Sequence, residues 1–370
     1  MAHVVAAAAV LVAIIAGCRT APVSPRIAAL EATLGQLVLV GFTGVEPGES
    51  SDLPRLLCEA RVGGVVLFAR NIVSADQLAR LTGWMTASSR ACTGHPLLVA
   101  VDAEGGRVMR LGPAAGYSAT LSADELGQSN DFTLTELEAR RIGARLRAAG
   151  INWDLAPVVD VGYNPANPVI VGTGRSYSAN PALVTSHARA FVRGMRAEGV
   201  LTALKHFPGH GSSEADSHLG FVDVTATASR DVELAPYRAL IAERLADSVM
   251  TAHVYNRRLD PEYPATLSRP TIQGLLRDTL GFRGPVVSDD LRMGAIEKHY
   301  GVARAAGLAL QAGVDLLLIA DDRLPDGRSA TEVALAALRR DLARGRLSPA
   351  RVESALARVQ AFKARLAPRS

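Results

Sequence analysis

The densest group of reactive side chains is Lys205-His206-Phe207-Pro208-Gly209-His210-Gly211, followed by Asp216-Ser217-His218. Three of the eight histidines fall within these thirteen or so positions. A loop rich in Gly and Pro can present polar groups to a ligand without burying unsatisfied backbone. Asp216 lies two residues before His218, close enough to bond its ring, set the tautomer and raise its basicity. An imidazole held in this way is suited to give and take a proton. His206 and His210 also have a metal-ligand spacing, but a Pro-Gly turn lacks the helical geometry that spacing needs, so no metal is expected. For His210 the favoured reading is a structural donor holding the loop.

Three further segments carry chemistry. Val286-Val287-Ser288-Asp289-Asp290-Leu291 puts an acidic pair directly after an apolar run. Neighbours on an extended chain face opposite ways, so one Asp should face a site and the other turn outward or cap the next helix. Asp102-Ala103-Glu104-Gly105-Gly106-Arg107-Val108-Met109-Arg110 sets a carboxylate and two arginines around a Gly-Gly turn, which suits a hydroxyl-rich ligand. Gly174-Arg175-Ser176 adds another guanidinium from a long loop, 156–175, that holds three prolines and three glycines. Loops of that length without secondary structure are more often functional than ordinary connections.

Positioning these groups requires a scaffold, and short apolar runs alternate with helical periods along the chain. Strands are expected over 37–42, 64–68, 97–102, 151–155, 201–206, 248–253, 285–289 and 315–319. Several are apolar throughout, as in parallel sheets covered on both faces. Val184, Ala188, Phe191 and Met195 share one helical face, and Gly199 ends that helix. Ser268 before Arg269-Pro270 predicts a capped helix running towards Leu280. Eight strands, several ending in polar residues, predict one (β/α)8 barrel rather than a doubly wound sheet.

The 370 residues are 48% apolar and 21% charged, with a net charge of +4. That is ample for a core and argues against disorder. Arg339, Arg340, Arg344, Arg346 and Arg351 are expected on solvated helix faces, and no nucleic-acid-binding pattern is present. Residues 1–18 are expected to be a signal segment. The run from Val4 to Ala16 suits an export signal better than a membrane span, and Ile15-Ala16-Gly17-Cys18 resembles a lipobox with Cys18 as the lipidated residue. Met1-Ala2-His3 lacks the usual basic start, so a plain secretory signal is the alternative. Residues 19–370 then form the barrel domain. Export permits a disulfide between Cys58 and Cys92 in adjacent loops, and the alternative is a pair of buried thiols.

Taken together, the 102–110 segment, Gly174-Arg175-Ser176, the 205–211 run with Asp216-Ser217-His218, and Ser288-Asp289-Asp290-Leu291 resemble family 3 glycoside hydrolases. They are most similar to the branch of β-N-acetylglucosaminidases acting in cell-wall recycling. Thr251-Ala252-His253 and Gly281-Phe282-Arg283-Gly284 fit the same pattern, and the similarity spans nearly all of the chain after the signal. The resemblance implies Asp289 as nucleophile, His218 as acid/base with Asp216 as its partner, and Asp102, Arg110, Arg175, Lys205 and His206 as sugar-binding residues. It implies removal of terminal β-linked N-acetylhexosamine, with retention, from peptidoglycan fragments; a monomer is expected, and no cofactor, since the sequence has neither a phosphate-cradling Gly-rich loop nor a metal-binding cluster. Val222 stands where the family often has proline. The alternatives are phosphorolysis, a β-glucosidase or β-xylosidase of the same family, and a non-catalytic envelope lipoprotein that binds sugar.

Overall fold

Eight short apolar segments pair side by side in one parallel sheet that curls until its ends meet. The computed structural model describes residues 24–48 and 52–366; the expected signal segment and Cys18 lie outside the described residues. The strands are β1 (Val38–Gly41), β2 (Gly64–Leu67), β3 (Leu98–Val101), β4 (Trp153–Asp154), β5 (Leu201–Phe207), β6 (Ser248–Thr251), β7 (Val286–Val287) and β8 (Leu317–Ile319). They neighbour one another in chain order, and β1 pairs with β8. A bridge between Val287 and Leu316, with Ser288 N donating to Leu316 O at 2.9 Å, closes the ring between β7 and β8. This is the (β/α)8 barrel that the alternation predicts.

Each strand overlaps its expected run; β5 extends one residue further, to Phe207, and several others are shorter, down to two residues at β4 and β7. The polar residues at the ends of those runs leave the ladder and turn into the mouth. Residues of β1, β2, β3 and β6 are buried along their whole length, between the barrel interior and the outer helices. Each fully buried Val or Leu there contributes about 1.5–3 kcal/mol.

The outer helices follow their sequence signals closely. Pro181–Ala197 buries Val184, Ala188, Phe191 and Met195 on one face, and Gly199 beyond it takes φ +78°. Ser268 Oγ accepts from Thr271 N at 3.1 Å, as a cap should, but the turns over Pro270–Thr279 are π-wound rather than α-helical. Arg351 departs from its expected place. It is mostly buried and donates to Asp315 Oδ1 at 2.8 Å, because Asp315 gathers Arg277, Arg351 and Arg358 between the C-terminal helix and the start of β8.

Cys58 and Cys92 form a disulfide, with Cα atoms 5.0 Å apart. They sit on helices rather than in loops. Cys58 ends Asp52–Cys58, and Cys92 lies in the last turn of Ala75–Thr93. The bridge ties together the two helices that feed β2 and β3, on the side of the barrel away from the strand C-termini. Among the described residues no helix is long and apolar enough to cross a membrane.

Candidate active site

A cleft of about 320 Å³ opens at the C-terminal ends of the strands. Its walls come from β5 (Lys205, His206) and β6 (Met250) and from residues just beyond β2 (Phe68), β3 (Asp102), β4 (Leu155), β7 (Asp289) and β8 (Ala320). Arg110, Arg175 and His218 reach the same cleft from loops. All the expected site residues except Asp216 border this one space, and Asp216 is bonded to His218. Convergence from many strand ends is how a barrel assembles a single site.

The Gly-Gly turn does this locally. Ala103–Gly105 and Val108–Met109 form a small hairpin after β3. Gly105 and Gly106 take φ +95° and +56°, and a Cβ on Gly105 would stand 2.2 Å from Leu121 O. The hairpin returns Arg110 beside Asp102, its N bonded to Asp102 O at 3.2 Å and its guanidinium 3.6 Å from the carboxylate. Arg107 points to solvent instead.

Glu104 is the centre of the charged floor, a role the sequence reading did not give it. Arg175 clasps it with two bonds, Nε to Oε2 at 2.8 Å and NH2 to Oε1 at 2.7 Å. Lys205 Nζ lies 2.6 Å from Glu104 and 2.8 Å from Asp102. Burial pushes the Glu104 carboxyl up, but Arg175 and Lys205 outweigh it and hold the group well below the usual carboxylate range. Burial likewise works against the Lys205 charge, and Asp102 and Glu104 more than restore it. Beneath them Asp154 has lost that contest: burial lifts it to about 8, and one of its oxygens has no partner.

Asp160, from the long loop after β4, is the second residue that sequence reasoning missed. Its carboxylate lies 2.7 Å from His206 Nδ1 and accepts His210 N at 2.8 Å. A carboxylate accepts, so Nδ1 carries the hydrogen and Nε2 of His206 faces Arg175 at 3.4 Å. The β5–β6 register shifts between Leu204 and Phe207, which lets the adjacent Lys205 and His206 both border the cleft. His210 stays out of it. Its ring is buried between Ser213 Oγ (2.6 Å) and Ser217 Oγ (3.1 Å), and burial lowers its pKa to about 4. It holds the loop.

Asp289 and Asp290 divide their tasks. Burial works against the Asp289 charge, but His253 and His206 outweigh it, so the group is a carboxylate at neutral pH. Asp290 does not cap the next helix, contrary to one expectation. Its Oδ1 accepts Arg292 N at 3.0 Å and Ala320 N at 2.9 Å, stitching the end of β7 to the end of β8. His253 Nε2 donates to Asp290 O at 2.8 Å, fixing the peptide beyond Asp289 from the β6 side.

His218 reaches the cleft from the loop after β5. Its Nδ1 is 2.7 Å from Asp216 Oδ1, and its side chain is 60% exposed. Gly294 N and Ala295 N, at the head of the helix Gly294–Ala312 after β7, donate to His218 O and Ser217 O at 3.2 Å each. Val222, at the position where proline was noted as common, instead pairs in a short parallel ladder with Val254 and is buried. These contacts pin the loop carrying His218 to the elements that follow β6 and β7. Among the described residues no cluster of three or more His, Cys, Asp or Glu side chains is arranged to hold a metal ion.

The sequence profile of the glycosyl hydrolase family 3 N terminal domain matches residues 29–362. The chain belongs to this family. It is a glycoside hydrolase, and several of the relatives it resembles are named β-hexosaminidases or β-N-acetylglucosaminidases. A β-hexosaminidase from Alkalilimnicola ehrlichii is 40% identical over 278 residues, covering 73% of this chain and 77% of that one. Among solved structures, a family 3 β-N-acetylglucosaminidase from a Paenibacillus species superposes with TM-score 0.85 at 40% identity. That match covers 91% of this chain and 62% of the Paenibacillus chain, which is longer. A β-N-acetylhexosaminidase from Beutenbergia cavernae gives TM-score 0.82 at 34% identity, covering 90% of this chain and 98% of that one.

Proposed function

We propose that this family 3 protein is a retaining exo-β-N-acetylglucosaminidase that removes terminal, non-reducing N-acetylhexosamine from β-linked glycans, peptidoglycan fragments in particular. The observation that carries the reading is that an ionised Asp289 and a His218 oriented by Asp216 line one sugar-sized cleft. Asp289 attacks the anomeric carbon, and the C–O bond to the leaving group breaks as His218 Nε2 delivers a proton to the departing oxygen. His218, now able to accept, takes a proton from water, whose oxygen displaces Asp289 and restores the starting state. Two inversions give net retention. Asp102, Arg110, Arg175, Lys205 and His206 orient the sugar hydroxyls, so the reacting atoms meet in a fixed geometry.

Export and lipidation at Cys18 belong to the same proposal, with the enzyme working as a monomer in the cell envelope. The test of function is hydrolysis of an aryl β-N-acetylglucosaminide beside the matching aryl β-glucoside. The account expects the first to be strongly preferred, and both Asp289→Ala and His218→Ala to abolish its turnover while leaving the fold intact. Preference for the glucoside would move the protein to another activity of the family. Intact-mass analysis of the mature N-terminus tests lipidation.

A further inference from the structure

Among the described residues five large apolar side chains stand exposed, and two of them, Leu219 at 73% and Phe221 at 51%, lie within three residues of His218. Single exposed apolar residues are common on any surface. These two differ because the segment bearing them is held in place. Lys298 Nζ donates to Leu219 O at 2.9 Å, beside the bonds from Gly294 and Ala295 to the preceding carbonyls. The Phe221 ring is 5.2 Å from Tyr255 at a 40° tilt, and 6.1 Å from His299 at 69°. Tyr255 is itself tied by its hydroxyl to Pro261 O at 2.9 Å. An aromatic ring is therefore braced from two sides while half of its surface stays open.

Its position three residues after His218, on the same pinned segment, limits what can use that open surface. A group that protonates the leaving oxygen must touch the atom that joins the leaving group to the sugar, so the rest of the leaving group lies within a few ångströms of it. We infer that Phe221, braced by Tyr255 and His299 and bordered by Leu219, is the platform on which the leaving sugar stacks. One face of a hexopyranose is lined by C–H bonds, and such a face suits a fixed aromatic ring as an apolar side chain would. The enzyme would thus select β-linked glycosides whose leaving group is a second sugar over those with a small alkyl group. This rests on the N-acetylhexosaminidase reading above.

The experiment compares a β-1,4-linked N-acetylglucosamine disaccharide with methyl β-N-acetylglucosaminide. Both release an alkoxide that needs a proton, but only the first has a ring to stack. For wild type, Phe221→Ala and Phe221→Trp, the quantity read is the ratio of kcat/KM for the disaccharide to that for the methyl glycoside. Phe221→Ala should lower the ratio roughly tenfold, the size of one good aromatic contact, and Phe221→Trp should keep or raise it. A loop disturbance that merely misplaces His218 would depress both substrates together. An unchanged ratio in Phe221→Ala overturns the platform and leaves the hexosaminidase reading standing. Wild type that cleaves neither glycoside removes both.

Discussion

Asp216 and His218 are joined through one oxygen. Oδ1 of the carboxylate accepts the backbone N–H of His218 at 2.8 Å and lies 2.7 Å from Nδ1 of the ring. The two bonds fix both the position of the His218 backbone and the rotation of its imidazole, and they leave Nε2 free. Because the ring is otherwise open to solvent, this carboxylate is the principal constraint on where the proton-carrying nitrogen points.

It follows that Asp216→Ala should impair proton transfer without removing the proton carrier. Loss of positioned general acid/base catalysis typically costs about 10²–10⁴ in rate. Turnover of an alkyl glycoside should fall within that span. The kcat/KM of an aryl glycoside whose leaving group hardly needs protonation should fall much less, since kcat/KM reports the first displacement and not the deglycosylation that also uses His218. Steady-state kinetics with the two substrates check this, and equal losses would point to damage elsewhere in the site.

Glu104 neutralises two buried cations at once, so Glu104→Ala should be costly in a way that an exposed ion pair is not. Leaving a buried charge unpaired typically costs about 3–5 kcal/mol. Urea unfolding should show a loss of that order. KM should rise too, because Arg175 would lose the carboxylate that clasps it to the cleft floor and Lys205 would keep only Asp102. A loss below about 1 kcal/mol, the level of a surface pair, would contradict this account of the floor.

Glu233 lies under the Gly209 turn, where burial lifts its carboxyl to about 7 despite bonds from Ser212 and Tyr163. The sign of its effect follows from proton counts. Between the unfolded value of about 4 and the folded value, the native state keeps a proton that the unfolded chain has released, so this group lowers stability as pH rises. His210 and Lys363 also titrate with displaced pKa values, which makes the wild-type profile a sum of opposing slopes. The comparison with Glu233→Gln isolates the one group. The variant should gain on wild type by up to about 1.4 kcal/mol per pH unit from pH 5, levelling off above pH 7. Unfolding at a series of pH values measures it; a gap that shrinks with rising pH would reverse the assignment.

The Cys58–Cys92 bridge closes a loop of 34 residues. Loop-closure entropy gives roughly 4 kcal/mol for a loop of that size. The double variant Cys58→Ala, Cys92→Ala should therefore unfold at lower temperature, with kcat little changed because the bridge lies away from the strand C-termini. Calorimetry with a parallel activity assay checks both halves.

Much of this molecule was legible in one dimension. The eight strands could be read because each is a run of residues buried on both faces, and Lys205-His206, Asp289 and Asp216-x-His218 because reactive side chains crowd into turns directly after those runs. What escaped was whatever depends on partners distant in sequence. Glu104 was visible beside Asp102, but its importance comes from Arg175 and Lys205, 71 and about 100 positions away. Asp160 sits among apolar neighbours in a loop with no local signal, and only the fold brings it to His206. The cysteines could be paired, but their helical placement depended on where two helices end.

The proposed mechanism passes through a covalent bond between Asp289 and the sugar. A slowly turned-over fluorinated N-acetylglucosamine donor, incubated with the enzyme and followed by proteolysis and mass spectrometry of the peptides, tests it directly. The account predicts a mass increase of one glycosyl unit on the peptide containing Asp289, and no adduct in Asp289→Asn. A label on a different carboxylate, or steady turnover with no adduct under trapping conditions, would contradict it.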